Sequence, residues 1–196
     1  MMLRYVITSL IVLLASASYA IGIRSVFRGD YRPSIYSRTL WALISLNSFV
    51  GVLAMHTSIG ILALAGIQLC GSIAMFIGAL KYSNREFGSL EKISTGILVL
   101  SLVVWLVADL PLLNVLIGLI AHLIGAAPAF TTAWKDPKSE NFPFWLLFAM
   151  ASLLSFLMAD KSDFHDYSYA AYFLFFDGIL TLITSRKFLR GKSVCH

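Results

Sequence analysis

Charge is scarce in this chain. Only 13% of its 196 residues are Asp, Glu, Lys or Arg, against about a quarter in a soluble domain of similar size. The charges are also bunched, and the apolar stretches between them leave no room for a separate soluble domain. Cysteine is nearly absent. Cys70 lies inside an apolar stretch and Cys195 is the penultimate residue, so there is no disulfide framework, no CxxC and no metal-ligand spacing. The chain has no phosphate-binding GxxxxGK[ST], no HExxH and no GxSxG elbow, and therefore no motif for nucleotide, zinc-hydrolase or serine-hydrolase chemistry. A retinal protein needs a lysine deep in its last span, whereas Lys187 stands at the end of one. Neither an enzyme nor a bound cofactor is expected.

Hydrophobic residues make up 59% of the sequence. A membrane span takes roughly 20 apolar residues to cross about 30 Å of hydrocarbon. Seven stretches meet or approach this requirement, near 3–23, 39–56, 59–80, 93–109, 112–133, 143–159 and 168–185. The connections carry the punctuation: Arg-Gly-Asp-Tyr-Arg-Pro after the first span, Asp109-Leu110-Pro111 between the fourth and fifth, Lys-Asp-Pro-Lys-Ser-Glu-Asn after the fifth.

Lys and Arg divide unevenly between the two sides. Arg4 and Lys161 fall on one side, and the other thirteen, from Arg24 to Lys192, fall on the other. Cytoplasmic loops carry the excess of basic residues. The N-terminus is therefore expected outside and the C-terminus in the cytoplasm, with the acidic sixth loop (Asp160, Asp163, Asp166) outside. The net charge of +5 reads as this topology signal and not as a nucleic-acid footprint. Arg4, the apolar run to Leu14 and Ala15-Ser16-Ala17 also have the build of a cleavable signal peptide. Cleavage would leave the arginine-rich first loop outside, against the charge bias, so a retained first span is expected.

The chain carries an internal repeat. A shift of 104 residues aligns Arg32-Pro33-Ser34 through Trp41-Ala42-Leu43 with Asp136-Pro137-Lys138 through Trp145-Leu146-Leu147. With a small gap, Cys70-Gly71 meets Asp177-Gly178. Each copy has three spans in the same orientation, and the fourth span lets the second copy re-enter the same way round. The expected fold is an all-α membrane protein, seven transmembrane helices in a 3+1+3 parallel-repeat bundle. A single transmembrane domain then covers 1–196: a first triplet (1–80), a linker helix (92–110), a second triplet (112–186) and a basic tail (187–196).

In these features the chain resembles the SWEET and PQ-loop transporter superfamily. The local likeness is strongest from Ala127-Pro128-Ala129-Phe130 through Trp134-Lys135 to Phe144-Trp145, which looks like the PQ-loop segment. Ala129 stands where the family has glutamine, and Arg24 where the first copy would have a proline. The pattern is also similar to that of small bacterial membrane proteins with the same loop and Trp. The resemblance implies alternating access between two triplets, a substrate site in the middle of the third and seventh spans, and a hinge at Pro128.

Polar groups inside spans are costly and mark function or helix contacts. Asp177, mid-span and without a basic neighbour in sequence, is the leading substrate-binding candidate. His122 is next, as a ligand, a partner for Asp177 or a proton shuttle. Gln68 and Asn47 complete the expected substrate-binding set, although interhelical hydrogen bonds would also account for them. Asp109 and Asn114 read as helix-end caps. Trp41, Trp134 and Trp145 read as an interfacial belt, Trp105 as packing, and Gly60, Gly66, Gly71 and Gly78 as close-packing positions. Pro128 removes a backbone hydrogen bond and should kink the fifth span.

Two functions follow. The first is a transporter of a small polar solute such as a sugar, vitamin or amine, facilitative or proton-coupled, in a bacterial inner membrane. The second is a non-transporting scaffold, receptor or assembly subunit whose basic loop and tail meet anionic lipid or a partner protein. Expected partners are the solute, membrane lipids and a second copy of the chain; nucleic acid and metal are not expected. Vitamin transporters of the PnuC kind share the architecture, but no aromatic clamp like theirs is evident in the sequence.

Overall fold

The computed structural model describes residues 2–30, 35–82, 88–160 and 163–190. Among them the chain forms seven helices and no strand: α1 (Met2–Phe27), α2 (Ile35–Ala54), α3 (Ile59–Tyr82), α4 (Ser89–Ala108), α5 (Pro111–Lys135), α6 (Phe142–Met158) and α7 (Phe164–Arg190). Six are long and apolar enough to cross a membrane. The seventh, α6, has 17 residues, about 25 Å at 1.5 Å per residue. Arg32-Pro33-Ser34 of the repeat, Arg85, Lys161 and the tail from Lys192 to Cys195 lie outside the described residues.

The outside of the bundle is apolar. Leu106 is 84% exposed and Phe175 74%, and similar side chains cover α1, α4 and α7. A water-soluble monomer does not carry so continuous an apolar surface. The protein is an integral membrane protein, and these side chains face lipid.

Local chemistry sets the helix ends. Asp109 takes the left-handed conformation (φ 52°) after α4 and returns its N–H to Trp105 O, a geometry that Asp tolerates better than most residues. Pro111 then opens α5, where its missing N–H costs nothing. Asn141 caps α6, its side chain accepting the Phe144 N–H at 3.3 Å.

Cross-links between helices fix which ends lie together. Ser37 Oγ at the start of α2 donates to Glu91 at the start of α4 (3.0 Å). Arg186 near the end of α7 reaches the carbonyl of Trp134 at the end of α5 (3.3 Å). Ser18, late in α1, donates to the Phe144 carbonyl at the start of α6 (2.7 Å). At the other end, Asp166 at the start of α7 meets the backbone before α3. One end, here the basic end, therefore gathers Arg24, Lys81, Lys92, Lys135 and Arg186; the far end gathers Asp109, Asp160 and Asp166.

Helix neighbours are equally definite. Helix α3 packs against both α1 and α2, and α7 against both α5 and α6. Across the bundle α1 meets α6, α2 meets α5, and α3 touches α7. Helix α4 lies outside, on α5 and α2. Gly71 makes the α1–α3 contact possible: a Cβ there would land within the Tyr19 ring.

Candidate functional site

Asp177 stands at the midpoint of α7 and is buried, 2% exposed. Helix α6 is its neighbour, and Ser152 Oγ donates to Asp177 Oδ2 at 2.6 Å. Among the described residues no cation pairs with it. Ionisable side chains at this depth are rare because removing them from water is expensive, by about 2.5–3.5 kcal/mol even on insertion scales. Asp177 lines a cavity bounded by residues of α1, α2, α3, α5, α6 and α7.

His122 and Gln68 line the same cavity from α5 and α3. Three of the four expected substrate-binding residues are thus brought together. His122 does not pair with Asp177. Its Nδ1 lies 2.8 Å from Tyr172 Oη, and rings of Trp41, Phe173 and Phe176 surround it, the last 4.7 Å between centroids. Gln68 Oε1 accepts the Tyr169 hydroxyl at 2.6 Å, while its carbonyl accepts from Tyr19 Oη at 3.3 Å. Tyr19 also meets Ser72 (3.3 Å), which in turn meets Ser45 (3.0 Å). A belt of hydroxyls therefore crosses α1, α2 and α3 and ends on α7 through Tyr169.

Asn47 is not part of the cavity lining. It faces away, donating to Ser101 Oγ on α4 at 3.5 Å and lying close to Gly118 on α5. One residue decides this, because Ser45 and Ser48 of the same helix do line the cavity. Asn114 is not an end cap either. It is fully buried, neither atom of its amide has a partner among the described residues, and it lies beside Gly51 of α2. Leu110, without a side-chain cap, precedes α5. Pro128 sits inside α5, which continues through it to Lys135.

Trp41 and Trp145, expected in an interfacial belt, both turn inward. Trp145 is 4% exposed and lines the cavity, as does Trp41; only Trp134 stays on the surface. Half of the sixteen lining residues are aromatic, although the sequence showed no clamp. No single-sequence signal separates an inward Trp from an interfacial one, since both fall near span ends. Arg38, counted only as a topology charge, is buried and lines the cavity, its guanidinium 4.9 Å over the Trp41 ring. Cys70, aligned with Asp177 in the repeat, is instead exposed.

Apolar clusters narrow the cavity toward both ends. Val52, Ile61, Val115, Tyr169 and Phe173 pack into one cluster toward the far end. Phe144, Trp145 and Phe148 belong to a second, toward the basic end, where Trp145 Nε1 donates to Glu140 at 3.1 Å. The space between them is about 30 Å³, room for water rather than for a sugar or vitamin. Among the described residues no cluster of His, Cys, Asp or Glu is placed to hold a metal. No protein-family model, curated protein or solved structure matches the chain.

Proposed function

We propose that this protein is a transporter of a small polar solute, such as a sugar, vitamin or amine, working by alternating access between two three-helix units. The observation that carries the reading is Asp177. A carboxylate at the midpoint of a span, bonded among the described residues only to Ser152, is retained at a cost that a merely structural bundle need not bear. It also faces a cavity between the two units, where a solute would sit.

The helix neighbours support the 3+1+3 arrangement. Exchanging α1, α2, α3 with α5, α6, α7 maps the α1–α6 contact onto α5–α2 and leaves α3–α7 in place. That is the pattern of a parallel repeat, in keeping with the SWEET-like resemblance. Under the positive-inside rule the basic end is cytoplasmic. The narrow cavity is then a constricted state, too small for the solute until the units move apart. Its opening toward the cytoplasm would separate Phe144 from Ser18 and Tyr19 of α1, with Pro128 easing the bend of α5. In the site, Asp177 and Gln68 would bind polar groups of the solute, and the rings would cover its flat or apolar faces.

A thermal-shift screen of purified protein against sugars, vitamins, amines and amino acids tests the reading. A stabilising compound whose effect disappears in Asp177→Asn supports it. No stabilisation across the panel, with the protein folded, favours the second reading: a non-transporting membrane subunit. The tightness of the cavity is the observation on that side.

A further inference from the structure

Where α5 and α7 reach the basic end, the bundle surface opens into a groove of about 320 Å³, lined by Phe130, Thr131, Trp134, Lys135 and Ile183. It belongs to neither the cavity nor the hydroxyl belt. Its floor is apolar, and Trp134, 60% exposed, forms one wall. Arg186 arches over that wall, its guanidinium 4.3 Å above the indole and Nη1 3.3 Å from the Trp134 carbonyl. The position of Arg186 is therefore fixed, yet a backbone carbonyl and a ring face satisfy only part of a five-donor fork.

Among the described residues no carboxylate pairs with Lys135 or Arg186. The nearest carboxylate in sequence, Asp136, instead accepts the backbone N–H of Lys138 at 3.0 Å. A held cation, Arg186, and an exposed one, Lys135, thus stand at the mouth of an apolar groove near the ends of these two helices. A water-soluble anion would use the cations and leave the floor empty. A neutral lipid would use the floor and leave the cations without a counter-charge. A single class of molecule meets both.

We propose that this groove binds an anionic phospholipid of the adjoining leaflet. One acyl chain lies along Phe130 and Ile183, and the phosphate lies between Lys135 and Arg186. Basic pockets beside helices on the basic side of a membrane recognise such headgroups, and Arg supplies the bidentate contact to phosphate oxygen. This inference does not depend on the transport reading.

The test uses full-length protein, delipidated in neutral detergent and titrated with phosphatidylglycerol or with phosphatidylcholine of the same chains, with binding followed by native mass spectrometry. The expected result is a preference for phosphatidylglycerol on the order of tenfold, lost in the Lys135→Gln/Arg186→Gln double variant. Equal binding of the two lipids by the wild-type protein overturns the proposal without recourse to any variant. So does a preference that survives in the folded double variant. Glycerol phosphate binding as tightly as the lipid would show a site for a soluble anion instead. Disulfide cross-linking of Trp134→Cys chains in liposomes would show that a second copy covers the groove, and would equally overturn the proposal.

Discussion

Asp166 Oδ1 accepts the backbone N–H of Ser58 at 2.9 Å, joining the start of α7 to the turn between α2 and α3. The other carboxylate oxygen accepts from the Asp160 N–H at 3.4 Å. One buried side chain thus ties the start of α7 to the backbone before α3 and after α6, beside the cluster that narrows the far end of the cavity.

If Asp166 latches that end, Asp166→Ala opens it. The loss of hydrogen bonds to a carboxylate predicts about 1–3 kcal/mol of destabilisation. In a variant lacking Cys70 and Cys195, a cysteine introduced at Ser45 should react with a membrane-impermeant thiol reagent only when Asp166 is also replaced. Equal labelling with and without Asp166 rejects the latch.

Asp177 and Ser152 act as a pair. Uptake of the solute found by screening should fall at least tenfold, about 1.4 kcal/mol, in Asp177→Asn. A smaller loss is expected in Ser152→Ala, which keeps the carboxyl but removes its donor. Circular dichroism should show unchanged helix in both. Wild-type uptake in Asp177→Asn would remove this residue from the mechanism.

Tyr172 orients His122. Tyr172→Phe removes the 2.8 Å contact while keeping the ring stack with Phe176 (5.9 Å between centroids). Interhelical hydrogen bonds of this kind are worth about 0.6–1.7 kcal/mol in membranes. A correspondingly small loss of thermal stability is expected, with a larger effect on solute binding. An unaltered binding constant would leave His122 a packing residue.

Gly71→Ala places a methyl group against the Tyr19 ring. Tyr19 is held by Ser72 and Gln68 and edge-on to Phe148 at 5.2 Å, so it has little room to yield. Overpacking of this sort costs about 1–3 kcal/mol. A thermal melt of the variant measures it; a melt equal to wild type would mean that α1 and α3 separate easily.

Sidedness is testable in the same cysteine-free background. Thr57→Cys should label from outside intact cells and Lys138→Cys should not. The reverse pattern would invert the orientation argued from the basic residues.

Much of the architecture was legible in the linear chain because hydrocarbon is an unforgiving solvent. Long apolar runs there have to become helices, since every backbone N–H and C=O must find a partner within its own segment. All seven helices lie where the runs predicted them, extended by a turn or so at several ends, as with α7, which runs from Phe164 to Arg190. Asp177, His122 and Gln68 stood out for a related reason. A polar side chain within such a run has few tolerable surroundings, and all three line one cavity.

What the chain left open was the rotation of each helix about its axis. Residues one position apart on a helix differ by about 100° in direction. That angle sends Asn47 toward Ser101 while Ser48 lines the cavity, and hydropathy does not record it. It also turns Trp145 inward and leaves Trp134 at the surface, though both are tryptophans near the same end. The aromatic lining, the buried Arg38 and the Asp166 bridge arise only from contacts between segments far apart in sequence. The sequence determined which residues are helical and at what depth they lie; tertiary packing decided which of them face one another.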